Sequence, residues 1–287
     1  MWILFFLFLK LNKVYRFLEG GTGSYFHPFF LSFLDFSNLI PQSRSTHTVG
    51  NYSFLEEYPN CVTTIYDQRH ESTCYAYASI TVFSQRFCRE TGKKFDFNPY
   101  DLIYCDKLSS NSFGGHEQIS WRYLQLHGVV NQSCSPYIQN SDTEQIYMRP
   151  YKPQKITQIH SSYCQQNTTC QKFYAKLHSQ KTLIGEDEIR KEIKNHGPVT
   201  AVFEMTDDFP SYDSRYEIYQ SKGEKDQDLH TIVLLGWGEE NGIPYWIGQN
   251  SYGKKWGKNG YFRILRGVNH CGIEKYASSI SPKVYSF

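Results

Sequence analysis

No apolar run in this 287-residue chain approaches the roughly 20 residues a bilayer-spanning helix needs. No CxxC pair and no HExxH occur, so zinc-ligand spacing is absent and no metal is expected. Charge of one sign is lacking too: 30 Lys and Arg face 28 Asp and Glu. That balance leaves no basic patch for nucleic acid and no acidic run for a disordered tail. No internal repeat is visible. Nothing in the composition asks for a cofactor, and no stable membrane span is expected.

What is present reads differently. The chain is long enough for one large domain or two small ones with ample core. Aromatics make up 17% of it. The eight cysteines are Cys61, Cys74, Cys88, Cys105, Cys134, Cys164, Cys170 and Cys271. Without zinc spacing they read as disulfides, which implies an oxidising compartment. Sequons at Asn51, Asn131 and Asn167 agree with that reading. The apolar stretch Trp2 to Leu9 has the length of a signal-peptide core, although its positive charges follow it and no A-x-A site is present. A wrongly assigned start is the alternative. Residues 1–18 are read as a signal segment, and residues 19–50 as a short pro-segment or an extension. The expected localisation is the secretory pathway, ending in a lysosome-like compartment or outside the cell.

From residue 51 the chain carries folded patterning. Helices are expected from Cys74 to about Cys88–Gly92, from Asn98-Pro99 towards Cys105, over Glu117–Leu126 with Gly128 as its stop, and over Glu186–His196. Asn131 to His178 is a long polar stretch that three cysteines make plausible inside a compact domain. Short apolar runs then suggest strands at Val199–Phe203, Thr231–Trp237, Tyr245–Gln249 and Tyr261–Leu265, with a hairpin turn at Asn241-Gly242. A helical part over 51–135 and a β-rich part over 180–287 indicate an α+β fold.

One stretch carries the chemistry. Asp67-Gln68-Arg69-His70-Glu71-Ser72-Thr73-Cys74-Tyr75 ends a loop and opens a helix that Ser72 or Thr73 can cap. A thiol at a helix N-terminus meets the positive end of the dipole, which favours the nucleophilic thiolate. A buried structural cysteine is the plainer alternative. A nucleophile needs a base and something to orient it. His230, at the start of an apolar strand, and Asn250, at the end of a later one, can supply both.

These residues carry a resemblance. Together with His230-Thr-Ile-Val-Leu-Leu-Gly-Trp-Gly, Asn250-Ser-Tyr-Gly-Lys-Lys-Trp-Gly, Gly260-Tyr-Phe-Arg-Ile-Leu-Arg-Gly and His270-Cys-Gly-Ile-Glu, the sequence resembles the papain family of cysteine peptidases. It is most similar to the cathepsin B branch, over about residues 51–282. His230 follows Cys74 by 156 positions, close to the 130–150 expected of such enzymes. The resemblance implies a two-subdomain fold, with a helical left part built on a central helix, a β-barrel-like right part, and a cleft between. It implies Cys74 as nucleophile, His230 as its ion-pair partner and general acid, Asn250 as orienter shielded by Trp256, and Gln68 as oxyanion donor. In such a pair the thiol pKa falls and the imidazole pKa rises. By similarity, the disulfides are Cys61–Cys88, Cys105–Cys164 and Cys134–Cys170, with Cys271 a buried free thiol. Glu71 and Ser112 stand where the family carries one further bridge.

The resemblance also implies a cleft for polypeptide substrates, and sensitivity to proteinaceous cysteine-peptidase inhibitors. Gly114 and Gly115 would form a cleft wall along which an extended peptide hydrogen-bonds. His116, Val202, Thr231 and Tyr276 would line the pocket for the residue two before the cut. Tyr276 stands where cathepsin B has an acid, which implies an apolar or aromatic preference. Ser135 to Tyr163 holds one histidine, His160, and not the adjacent pair that cathepsin B uses to trim dipeptides, so an endopeptidase is expected. The surroundings of Cys74 depart from the family: Ser72-Thr73 replace Gly-Ser, Tyr75 replaces Trp, Tyr252 stands where a Trp often covers the Asn–His bond, and Leu229 precedes His230. A papain-fold protein that binds without catalysing is therefore the competing reading, and a transferase on the same dyad a third.

Overall fold

The protein is described from a computed structural model that covers residues 50–110, 113–134, 164, 170–212 and 217–284. The expected signal and pro-segments, Ser112, Asn167 and the stretch from Ser135 to Tyr163 lie outside these residues. Among the described residues, no helix is long and apolar enough to cross a membrane.

Two cores organise the fold. The first surrounds the helix α2 (Cys74–Thr91), which follows a short strand β1 (Tyr52–Ser53) and a single-turn helix α1 (Phe54–Glu57). Fourteen residues of α2, from Tyr75 to Cys88, are buried, so it is enclosed on all sides. A helix packed all round needs apolar or paired side chains all round. The sequence supplies Ile80, Val82, Phe83 and Phe87, while buried Gln85 and Arg86 find partners. Gly92, at φ 70°, terminates the helix in the left-handed conformation that glycine tolerates. Helix α3 (Glu117–Leu126) packs beside it and buries Trp121 and Leu124. The expected helix after Pro99 is a single wide turn over Asp101–Cys105.

The second core belongs to an antiparallel sheet. After the small β2 (Val129–Val130) and β3 (Lys172–Phe173) pair come β4 (Lys181–Leu183), helix α4 (Glu186–His196) and β5 (Val199–Thr206). They are followed by β6 (Lys225–Glu240), β7 (Ile243–Gln249), β8 (Tyr261–Leu265) and β9 (Ala277–Ser279). The strand order is β4-β9-β5-β6-β7-β8, with β1 also paired to β6. Asn241 and Gly242, both at positive φ, form the two-residue turn between β6 and β7. The β-rich expectation was correct in type. It missed the strands β1, β4 and β9, of two or three residues each, which are too short to show a pattern.

Strand β6 joins the cores. Ile232 and Leu234 lie in the sheet core, whereas Val233 and Leu235 lie in the core around α2. Alternation sends successive side chains to opposite faces. With both faces covered, the strand reads as a continuous apolar run.

A buried ion pair ties α2 to the β-rich part. Arg86 donates to Glu192 Oε1 on α4 from both terminal nitrogens at 3.0 Å, and to the carbonyls of Pro198 at 2.6 Å and Gly197 at 3.0 Å. Burial opposes ionisation of Glu192, but Arg86, Lys181, His196 and Ser279 outweigh it and hold the carboxyl down at about 2. Three disulfides, Cys61–Cys88, Cys105–Cys164 and Cys134–Cys170, close the covalent frame. Cys271 forms no disulfide and is half-buried, not fully buried as expected.

Replacing Glu192 by Ala strands a buried guanidinium and should destabilise the protein by about 3–5 kcal/mol. The double variant Arg86→Met, Glu192→Leu should lose less. Urea unfolding measures both; equal losses would mean that the pair adds nothing beyond side-chain volume.

Candidate active site

The loop before α2 lies along the end of β7. Gln68 N–H donates to Ser251 O at 2.8 Å, and Gly253 N–H donates to Tyr66 O at 2.9 Å. The Gln68 side chain is held at both ends. Its Nε2 donates to Glu71 O at 2.7 Å, and its Oε1 accepts from Ser251 Oγ at 2.5 Å. These bonds fix the loop without a bridge at Glu71. The sequence does not mark Ser251 as support for Gln68, because the contact links positions 183 residues apart; the Glu71 contact, three residues away, is to a backbone carbonyl that every residue carries.

Cys74 is the first residue of α2 and remains partly exposed. Thr73 is the residue before the helix, but no side-chain cap forms, and its buried hydroxyl has no partner. The expected cap is therefore absent. The backbone at Thr73 (φ −102°, ψ 11°) departs from the extended geometry that brings a cap hydroxyl over the first turn.

His230 and Asn250 come together across β6 and β7. Both are 3% exposed. Asn250 Oδ1 lies 2.8 Å from His230 Nε2 and also accepts the Ser251 N–H at 2.8 Å. An atom that accepts a backbone N–H is the oxygen, so the imidazole carries its proton on Nε2 and keeps the Nδ1 lone pair free. Tyr252 stacks on the imidazole at 5.0 Å and 29°. Trp256, expected as the shield, packs instead behind Tyr252 at 5.6 Å and against Phe209 at 5.2 Å.

The thiol's polar neighbours are Thr231, through both its backbone and its hydroxyl, and the backbone of Tyr75. Each favours the thiolate, but burial outweighs them and raises the thiol pKa. Burial likewise lowers the His230 pKa to about 4, against the opposing effect of Asn250. Burial therefore works against the charged forms of the expected thiolate–imidazolium pair on both sides. The physical reason is desolvation of each, combined with strand alternation. Alternation turns Thr231 towards α2 and His230 towards Phe203 and Phe209. Thr231, expected as a pocket residue, is also the thiol's nearest hydrogen-bonding side chain.

The remaining expected residues gather nearby. Val202 faces Thr231 in the β5–β6 register, and Val202 N–H donates to Tyr276 O at 3.0 Å. Gly115 is exposed, and its backbone makes no hydrogen bond among the described residues. A Cβ there would lie 2.5 Å from the Tyr75 ring, so the position requires glycine. His116 adjoins it and is exposed.

This combination of fold and site is that of a known class. A model of the papain family cysteine proteases matches residues 54–281, and the chain belongs to that family. It is a papain-like cysteine peptidase. Among its relatives, Cathepsin B-like CP2 of Giardia intestinalis is 30% identical over 79% of this chain and 72% of its own length. Cathepsin B-like cysteine proteinase 6 of Caenorhabditis elegans is 31% identical over 82% and 67%. The solved structure of procathepsin B S9 from Trypanosoma congolense superposes with a TM-score of 0.68 at 27% identity, covering 84% of this chain and 80% of that one. Procathepsin L2 from Tenebrio molitor shares the fold at a TM-score of 0.63.

Because the His230 pKa is lower in the folded state than in the unfolded chain, the unfolded state binds more protons between about pH 6.5 and 4. Stability should therefore fall as pH drops through that window, by up to about 3 kcal/mol. A His230→Gln variant should lose less Tm than the native protein over the same window. Equal losses would mean that the imidazole charges freely in the folded state.

Proposed function

We propose that the protein is a cysteine endopeptidase that cleaves polypeptides through an acyl-enzyme. Cys74 attacks the scissile carbonyl, and its proton passes to Nδ1 of His230. The imidazolium then protonates the leaving amine, and water, deprotonated by the same imidazole, hydrolyses the thioester. Asn250 holds the ring in the tautomer that leaves Nδ1 basic. The Cys74 N–H and the second N–H of Gln68 Nε2 would receive the developing oxyanion; the first is engaged by Glu71 O.

The observation that carries this reading is the His230–Asn250 hydrogen bond, together with a cysteine outside any disulfide at the first position of α2. Tyr252 links the two groups: its ring stacks on His230, and the charge of Cys74 helps raise its hydroxyl pKa. The exposed, unbonded Gly115 backbone suits pairing with an extended peptide. Endopeptidase activity, as opposed to dipeptide trimming, follows from the single histidine between Ser135 and Tyr163. The disulfides fit a secretory or lysosome-like compartment, where protein inhibitors of cysteine peptidases would be natural partners.

A peptidyl epoxide should label Cys74 at mildly acidic pH, and Cys74→Ala should abolish both labelling and peptide cleavage. Gln68→Ala should keep the label but lower kcat roughly 100- to 1000-fold, the effect of losing one oxyanion donor. Absence of labelling would favour a papain-fold protein that binds without catalysing.

A further inference from the structure

Glu117 opens α3 immediately after Gly115 and His116, and its carboxylate is 1% exposed. Its Oε1 has no hydrogen-bond partner of good geometry; His116 Nδ1 lies 3.8 Å away as a loose ion pair, and the Tyr276 side chain also interacts with the carboxyl group. An acidic residue in a helix's first turn normally serves the dipole from the surface. That role does not account for burial, which is costly for a carboxylate lacking its bonds.

The surroundings of Glu117 point to a ligand. The titratable groups in its electrostatic reach are His116 from the residue before it, Cys74 from the start of α2, and Tyr276 from the segment before β9. Two of them, His116 and Tyr276, are residues expected to line the pocket for the side chain two before the cut, and the third is the thiol itself. The carboxylate therefore belongs to the wall of that pocket. No Lys or Arg makes an ion pair with it among the described residues.

We propose that Glu117 sets the specificity of this pocket, its buried carboxylate receiving the cationic side chain of an Arg or Lys two residues before the scissile bond. The inference rests on the peptidase reading above and reverses the apolar preference that Tyr276 alone implies. A guanidinium there would form charge-assisted, bidentate hydrogen bonds shielded from water, which a carboxylate makes with no apolar side chain. His116 competes for the same oxygen. Glu117 raises the His116 pKa, so below that value the imidazolium satisfies the carboxylate, and above it the substrate cation takes its place. The preference for Arg therefore grows as pH rises through the His116 titration.

The test compares two fluorogenic peptides that differ only in Arg or Phe at that position. The native protein should show a kcat/KM ratio favouring Arg by at least about tenfold at pH 7.5, shrinking towards pH 5.5. Glu117→Gln should bring the ratio to one or below at both pH values; being a ratio, it is insensitive to partial loss of folded protein. A native preference for Phe, or a ratio unchanged in Glu117→Gln, overturns the inference. Calorimetric binding of both peptides to Cys74→Ala protein reads the pocket independently of turnover: tighter binding of the Arg peptide supports the inference, and equal or weaker binding overturns it. Failure of the native protein to cleave either peptide or to take the epoxide label counts against the peptidase reading alone.

Discussion

The structure depends on the burial of one helix against one strand. Helix α2 has no solvent face along most of its length, and β6 has none over its apolar run. Where the two meet, Val233 and Leu235 lie in the core that encloses α2, while Ile232 and Leu234 anchor the strand in the sheet. Every functional position follows from this contact. Cys74 is where α2 begins, and His230 and Thr231 are where the apolar run of β6 begins. Close packing permits little adjustment of one without the other. The Arg86–Glu192 pair reinforces the same junction from the polar side, at a point where a charge could not be buried alone.

The site is governed by desolvation more than by charge. The imidazole is almost fully buried and Cys74 is partly exposed, and desolvation works against the charged form of each. Such a site disfavours separated charge. Its polar groups are instead oriented in advance: Asn250 fixes the ring, Ser251 and Glu71 O fix Gln68, and Thr231 stands ready for a thiolate. Preorganised dipoles of this kind act where charge develops in the transition state and need no reorganisation when it does. The missing bridge at Glu71 is tolerated because the loop it would close is bound to the end of β7 by hydrogen bonds from both backbone and side chain.

The pocket follows the same logic with opposite sign. A carboxylate at Glu117, buried and lacking a bond at Oε1, is a cost the fold sustains next to its own nucleophile. Groups held at such a cost are found where a ligand relieves it. His116, when protonated, would relieve it in part, so the proposed pocket would respond to pH.

Much of the architecture was legible along the chain. Helices Glu117–Leu126 and Glu186–His196 and strand Tyr261–Leu265 have the limits that their apolar periodicity and stop signals indicate. The hairpin at Asn241-Gly242 needed only local backbone chemistry. The order of Cys74, His230 and Asn250, with the motif blocks around them, was enough to name a family and its reaction class. These are properties of neighbouring residues, and neighbours are what a sequence records. The tertiary structure alone decided the rest. Which face of β6 each residue takes determines that Thr231, with the Tyr75 backbone, supplies the thiol's hydrogen bonds. Burial opposes the charged forms of Cys74 and His230, against the ion pair that the resemblance implies. Glu117, an ordinary first-turn acid by sequence, is enclosed within electrostatic reach of Cys74. Each of these depends on how far a group is withdrawn from water and on which remote segment covers it, quantities that exist only once the chain has closed on itself.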